Sequence, residues 1–403
     1  MLPSVRGAIM EYPLSHTGTM PDAVRWDLFC RVVDNYGDAG GCWRLARQLA
    51  VEHAVDVTLW LDDLGALARI APGVDPVRVA QKIAGVTLRR WTDPFADTAP
   101  ADVVIEAFGC GLPENYVAAM VRMPFAPTWF ILEYLSAEAW IEDAHGKASP
   151  HPRLPLSRRF WFPGFTAKTG GLLHERGLAA ARAAYGRDAG AQHALWSLLK
   201  IPPVAPNEIR VSLFCYPNPA LPALFDAWAD GDVPVSCIIP EGVAAGALDF
   251  WTGGNVPHAG HPYLRGRLTV YAIPLLGQDE YDRLLWLCAI NFVRGEDSFV
   301  RAQWAARPFI WHTYPQTEGA HWRKQDAFLD RFVHGLSAGP EATLRRFWQA
   351  WNAVPDADGI GTAWQNFLEA RAQLERHGVA WAEQLAGLAD LAAGMVASAS
   401  ARV

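Results

Sequence analysis

Two aspartates four residues apart, Asp34 and Asp38, stand in the run Asp34-Asn35-Tyr36-Gly37-Asp38-Ala39-Gly40-Gly41. Carboxylates at this spacing in a glycine-rich loop can accept a proton, hold a cation or pair with a guanidinium. Aspartates are also ordinary turn and N-cap residues, and from local chemistry alone that alternative stays open. A second group lies in Arg294-Gly295-Glu296-Asp297-Ser298-Phe299-Val300-Arg301-Ala302-Gln303. Gly295 permits a tight turn, and Asp297 or Ser298 can cap the helix that follows. The unpaired N–H groups of a helix start attract phosphate oxygens. Glu296 and Asp297 can then turn toward hydroxyl groups, which donate well to carboxylates. A capping turn with solvated acids is the alternative. Arg294 and Arg301 read as surface charges or local ion pairs.

Several chemistries are excluded. Neither loop is Gly-x-Gly-x-x-Gly or a P-loop, which argues against a dinucleotide cofactor. His258-Ala259-Gly260-His261 is the one close histidine pair, and it sits in a glycine- and proline-rich stretch that reads as structural. No metal-ligand cluster and no cofactor is expected. The chain has 35 Lys and Arg against 42 Asp and Glu, a net −7, so it lacks the basic stripe of a nucleic-acid binder. The six cysteines, at 30, 42, 110, 215, 237 and 288, form no Cys-x-x-Cys, so reduced thiols in a cytoplasmic protein are expected. No apolar run approaches the length of a membrane span.

These loops need elements to hold them. With 403 residues, 51% of them hydrophobic, two cores can be filled. Strand-like runs at Asp27–Val33, Val55–Leu61, Asp102–Phe108 and Thr128–Leu135 alternate with helical spacing, first at Cys42–His53. The scheme repeats at Ile209–Tyr216, Val235–Pro240, Leu268–Leu276, Ala289–Val293 and Pro308–Tyr314, with helices at Pro222–Ala229, Asp279–Cys288 and Asp297–Ala306. The fold class is α/β, with two doubly wound Rossmann-type domains facing across a cleft and a helical tail. Expected boundaries are an extension at 1–24, a first domain at 25–200, a proline-rich linker at 201–207 and a second domain at 208–375. A final helix at 376–403 is expected to pack back on the first domain. The tail reads as helices at Arg323–Phe332, Glu341–Trp351, Ala363–Arg376 and Trp381–Ala397.

The first loop with Cys42-Trp43-Arg44-Leu45-Ala46-Arg47-Gln48-Leu49, and the second with Trp311-His312-Thr313-Tyr314-Pro315-Gln316, together resemble the EarP family of bacterial protein-arginine rhamnosyltransferases. Leu132–Glu138, Phe162-Pro163-Gly164-Phe165 and Gly170-Gly171-Leu172-Leu173 extend the likeness, which runs from about Trp26 to about Lys324. The resemblance implies a GT-B fold and an inverting, metal-independent transfer. The implied donor is dTDP-β-L-rhamnose. The implied acceptor is an arginine of translation elongation factor P, activated thereby to rescue ribosomes stalled at polyproline. By position, Asp38 matches the general base and Asp34 its essential partner. Glu296, Asp297 and Ser298 match the donor-site loop, with Glu296 a further catalytic candidate, and Tyr216 and Gln278 match residues near the nucleotide. Asn35, Tyr36, Gly37 and Gly295 are expected to line the substrates. Tyr281 stands where the family has a phenylalanine beside the thymine; its ring keeps the stacking face, and its hydroxyl needs a route to water. Leu275 stands where the family has another phenylalanine, which weakens stacking there.

The chemistry is coherent without the name. A guanidinium is charged and its lone pairs are delocalised, so it is a poor nucleophile. It must be held, oriented and relieved of a proton, and carboxylates do all three. Two other readings remain: a GT-B enzyme with a small-molecule or glycan acceptor, and a non-enzymatic nucleotide-sugar-binding protein. Fold alone does not choose between them.

Overall fold

A computed structural model describes residues 24–401, apart from 35, 316–318 and 355–358. The extension expected at 1–24 lies outside the described residues except for Val24. The first domain is built on an eight-stranded sheet. Its strands are β1 Arg25–Cys30, β2 Asp56–Leu61, β3 Ala80–Ile83, β4 Val86–Arg90, β5 Val103–Ala107, β6 Thr128–Leu132, β7 Ala148–Pro150 and β8 Ser157–Trp161. Their order is β3-β4-β2-β1-β5-β6-β8-β7. β3 and β7 pair antiparallel with β4 and β8, and the other pairings are parallel. The second sheet holds β9 Ile209–Leu213, β10 Val235–Pro240, β11 Tyr263–Arg265, β12 Leu268–Ile273, β13 Ile290–Arg294 and β14 Phe309–His312, in the order β11-β12-β10-β9-β13-β14.

Helices cover both faces of each sheet, so central strands are buried on both sides and read as apolar runs. In β1, Trp26, Leu28 and Cys30 pack under helix Gly37–Glu52, while Phe29 joins Trp60, Trp91, Phe95 and Tyr116 on the opposite face. Strand order reverses between β1 and β5 and between β9 and β13. The loops after β1 and β13 therefore open at the two switch points, where doubly wound sheets bind ligands.

Two expected boundaries move. Helices Leu178–Arg187 and Ala189–Leu198 do not belong with the first domain. Leu195, Trp196 and Leu199 share a core with Ile238, Ile273, Leu284 and Cys288 of the second. The chain thus changes domain before Leu178, and the prolines of 201–207 merely end a helix and lead into β9. The boundary placed at 375/376 falls inside one continuous helix, Ile360–Ala386. Its buried stripe of Trp364, Phe367 and Ala370 carries on through Leu374, Trp381 and Leu385, so nothing interrupts it there.

The break comes at Gly387. Asp390 then caps helix Leu391–Ser400 by accepting from the N–H groups of Ala392 and Ala393. That helix sinks Leu391, Ala392, Met395 and Ala399 into the first domain's core beside Trp161. The two crossings between domains touch, because the Leu391 N–H donates to the Leu172 carbonyl at 3.0 Å. Gly171 makes this approach possible, since it has φ +72° and a Cβ there would stand 1.8 Å from the Ala389 carbonyl oxygen. Among the described residues, no helix is long and apolar enough to cross a membrane.

Candidate active site

The first helix begins at Gly37, five positions before the expected Cys42, which places Asp38 in its opening turn. Glycines disfavour a helix, but Gln278 Nε2 of the second domain donates to the Gly40 carbonyl at 3.0 Å and holds the turn. Asp38 folds back rather than capping its own helix. Its Oδ2 accepts from the N–H groups of Val33 and Asp34, both at 2.9 Å. Its Oδ1 faces the cleft and meets the Tyr134 hydroxyl at 3.4 Å. Burial pushes the Asp38 carboxyl above its ordinary range, and the two backbone bonds oppose this without cancelling it.

Asp34 is not a cap either. Its Oδ2 accepts from the Tyr216 hydroxyl at 2.7 Å, a bond made across the cleft. The Tyr36 hydroxyl accepts from Arg69 at 3.2 Å. Asn35 lies outside the described residues.

The second loop turns at Gly295, with φ +62°, where a Cβ would come within 3.0 Å of Asp34 Oδ2. Its carbonyl accepts from Trp311 Nε1 at 2.8 Å. Ser298 closes the turn on itself, donating to the Arg294 carbonyl and accepting from the Arg294 N–H at 3.2 Å. Glu296 has both oxygens engaged: Oε2 by the Leu135 N–H of the first domain at 2.8 Å, Oε1 by Lys324 Nζ at 2.9 Å. Asp297 forms an ion pair with Arg44 Nε at 2.8 Å, and its Oδ2 accepts from Gln278 Nε2 at 3.1 Å. Burial raises both carboxyls above their ordinary range, while Lys324 opposes it at Glu296 and Arg44 at Asp297.

Beneath the loops lies a buried charge network that local sequence does not reveal. Arg44 is 1% exposed and Arg301 2%, so neither is a surface charge. Arg44 of the first domain pairs with Asp282 at 3.0 Å and reaches Glu175 at 3.5 Å. Arg301 pairs with the same two carboxylates, at 2.6 Å for Asp282. Burial works against the Glu175 carboxylate, but Arg301 and Arg44 overcome it and bring it down to about 2. With Asp297, three carboxylates surround two guanidiniums. Arg294 is different: its guanidinium lies over the rings of Phe214 and Tyr216, at 4.5 and 4.8 Å.

Two cavities of about 60 and 80 Å³ meet at this seam and share Asp34, Gly37 and Asp297 as a common wall. The first reaches into the second domain, between Tyr281, Phe214, Leu275, Gln278 and Arg294. The second reaches into the first domain, past Asp38, Tyr134 and Glu296.

The structure thus gathers Asp34, Tyr36, Gly37, Asp38, Gln278, Tyr281, Gly295, Glu296, Asp297 and Ser298 around one cleft. Tyr216 is used otherwise than expected. Its hydroxyl ties down Asp34, and its ring is enclosed by Arg294, His312 and Tyr314. The aromatic that faces the cavity is Phe214, two residues earlier and edge-on to Tyr281 with 6.0 Å between centroids. The Tyr281 hydroxyl is buried beside Ser298. Among the described residues, no group of three or more His, Cys, Asp or Glu is disposed to hold a metal ion. His258 and His261 pair through their backbones in a turn instead.

Comparison with known proteins agrees with this geometry. The sequence model of the family described as Elongation-Factor P (EF-P) rhamnosyltransferase EarP matches residues 26–400. Protein-arginine rhamnosyltransferases of Pseudomonas putida and Pseudomonas aeruginosa are 47% and 44% identical over 371 residues, which is 92% of this chain and 97% of each relative. A solved structure described as the structural basis for EarP-mediated arginine glycosylation of translation elongation factor EF-P is 33% identical. It superposes with a TM-score of 0.66 over 94% of this chain and 99% of its own. The fold is the two-domain GT-B architecture of glycosyltransferases, and the chain belongs to the EarP family of elongation-factor P rhamnosyltransferases.

Proposed function

We propose that this enzyme moves L-rhamnose, with inversion, from dTDP-β-L-rhamnose to one arginine side chain of elongation factor P in the cytoplasm. The observation that carries this is the seam. Asp34 and Asp38 stand where a cavity of one domain, lined by Tyr281, Phe214 and Arg294, meets a second cavity opening on the other. The nucleotide lies in the first cavity with its base against Tyr281 and Phe214. Its diphosphate meets the N–H groups that begin helix Asp297–Ala305, with Arg294 as the nearby cation. The acceptor guanidinium enters the second cavity, where a carboxylate can orient it. A guanidinium nitrogen attacks the anomeric carbon from the face opposite the leaving group. The C–N bond forms as the bond to the phosphate oxygen breaks, dTDP departs, and Asp38 Oδ1 takes the proton. Asp34, held by Tyr216, orients the loop. Glu296 and Asp297 are already paired with protein cations, Lys324 and Arg44, so we read the transfer as independent of a divalent ion.

The test is the intact mass of elongation factor P after incubation with this protein and dTDP-β-L-rhamnose in EDTA. One added deoxyhexose, located on an arginine, is the expected result. An unchanged mass overturns the assignment of donor and acceptor, and activity that returns only with Mg²⁺ overturns the metal-free reading.

A further inference from the structure

Lys324 stands on helix Ala320–Phe332, outside both loops. Its ammonium lies 2.9 Å from Glu296 Oε1 and 5.9 Å from the ring centroids of both Tyr134 and Trp311. The other oxygen of Glu296 accepts from the Leu135 N–H, and the neighbouring Tyr134 places its hydroxyl on Asp38. A single line of contacts therefore runs from the second domain through Glu296 and the Tyr134–Leu135 segment to Asp38.

We infer that Lys324 is a positioning residue for the transfer, acting through Glu296 to hold the Tyr134–Leu135 segment in place and to keep Asp38 ionised; this rests on the function proposed above. Glu296 and Asp38 are like charges beside one partly desolvated cleft, and each makes the other harder to ionise. Burial pushes both carboxyls up, and Lys324 is the charge that opposes this at Glu296. The groups facing Asp38 are Asp34, Tyr134, Cys30, Cys42 and Glu296; those facing Glu296 are Lys324, Asp38 and Tyr134. Lys324 is the one cation in this set. Without it the Glu296–Asp38 pair keeps a proton to higher pH, and the strut to Leu135 loses its counter-charge.

The experiment is the pH profile of kcat for rhamnosylation of elongation factor P, with dTDP binding by calorimetry as the control. In Lys324→Met the acid limb should move up by about one pH unit, the low end of what a neighbouring charge does. At neutral pH kcat should fall by about 10²-fold, as expected for a misplaced reacting group. Lys324→Arg should restore both. In Lys324→Met/Glu296→Gln the acid limb should return to its wild-type position even if kcat stays low, because the offending charge is gone. dTDP affinity should be the same throughout. A folded Lys324→Met protein with an unmoved limb overturns the inference, and so does a double variant whose limb stays raised. If Lys324→Met fails to fold, Lys324→Gln keeps the stem without the charge and is read by the same criteria. Absence of transfer by the wild type overturns the proposed function instead.

Discussion

The loops after β1 and β13 face each other, and both are acidic, but their carboxylates are in different states. Asp38 presents Oδ1 to the cleft with one long contact, from Tyr134, while its Oδ2 only closes its own loop. Glu296 is tied to Leu135 of one domain and Lys324 of the other, and Asp297 lies between Arg44 of one and Gln278 of the other. A proton taken by Glu296 or Asp297 would weaken an ion pair, to Lys324 or to Arg44, whereas the described contacts of Asp38 are all to neutral donors. In the proposed reaction the first loop therefore supplies the carboxylate free of a counter-charge, and the second supplies struts between the domains. Glu296, a catalytic candidate by position, is placed as one of those struts.

The largest effect should come from Asp38→Asn. The amide oxygen can still accept from Val33 and Asp34, so the loop survives, but no proton can be taken. Turnover should drop by about 10²–10⁴-fold with dTDP affinity intact, measured by single-turnover mass analysis and calorimetry. A greater loss in Glu296→Gln than in Asp38→Asn would reverse the comparison.

Next is the network beneath the struts. Arg44→Met leaves Asp282 and Asp297 short of a counter-charge in the interior. Removing one partner of a buried pair costs about 3–5 kcal/mol, to be read from denaturant unfolding. Loss under about 1 kcal/mol would mean the network is not the anchor that the contacts suggest, since that is the range of an exposed pair.

Smaller effects separate the two tyrosines. Tyr281→Ala should weaken dTDP binding by about 1–3 kcal/mol, the range for base–aromatic stacking. Tyr216→Phe should leave dTDP affinity nearly unchanged and reduce turnover by about 0.5–1.5 kcal/mol of barrier, the worth of one hydrogen bond to Asp34. If Tyr216→Phe weakens dTDP instead, Tyr216 belongs to the nucleotide site after all.

The pH dependence sharpens the same contrast. Asp38 works as a base only when ionised, and burial raises its folded-state pKa above 3.8, so turnover should fail on acidification sooner than for an ordinary aspartate. Glu175 moves the other way. Its carboxyl is held near 2, below the ordinary 4.5, so the stability it adds is complete above about 4.5 and is lost as pH falls toward 2. In acid, catalysis should therefore fail before the buried network does. Parallel turnover and unfolding titrations check the order.

Much of the scaffold was legible. β10 spans the run read for it, and β13 differs by one residue at each end, because buried parallel strands are short, unbroken apolar runs. Both acidic loops were legible from residue type and from their place after strands. The early start of the first helix was not, since a bond from Gln278, 238 residues on, outweighs three glycines. Nor was the crossing before Leu178: an amphipathic helix shows that it has a buried face, not which sheet covers it. Lys324, Arg44 and Glu175 were missed as site partners for the same reason. Phe214 did leave a signal, as an aromatic directly after β9, where loops at strand ends line the cleft.

The crossing at Gly171 and Ala389 also bears on how the protein is made. The first domain's strands leave the ribosome before the second domain's, but part of its core, Leu391 to Ala399, is synthesised only after the second domain. During translation the first sheet must wait with Trp161 and its neighbours uncovered while the whole second domain emerges and folds. A nascent chain halted before Leu391 therefore presents a finished second domain beside a first domain whose core is still open.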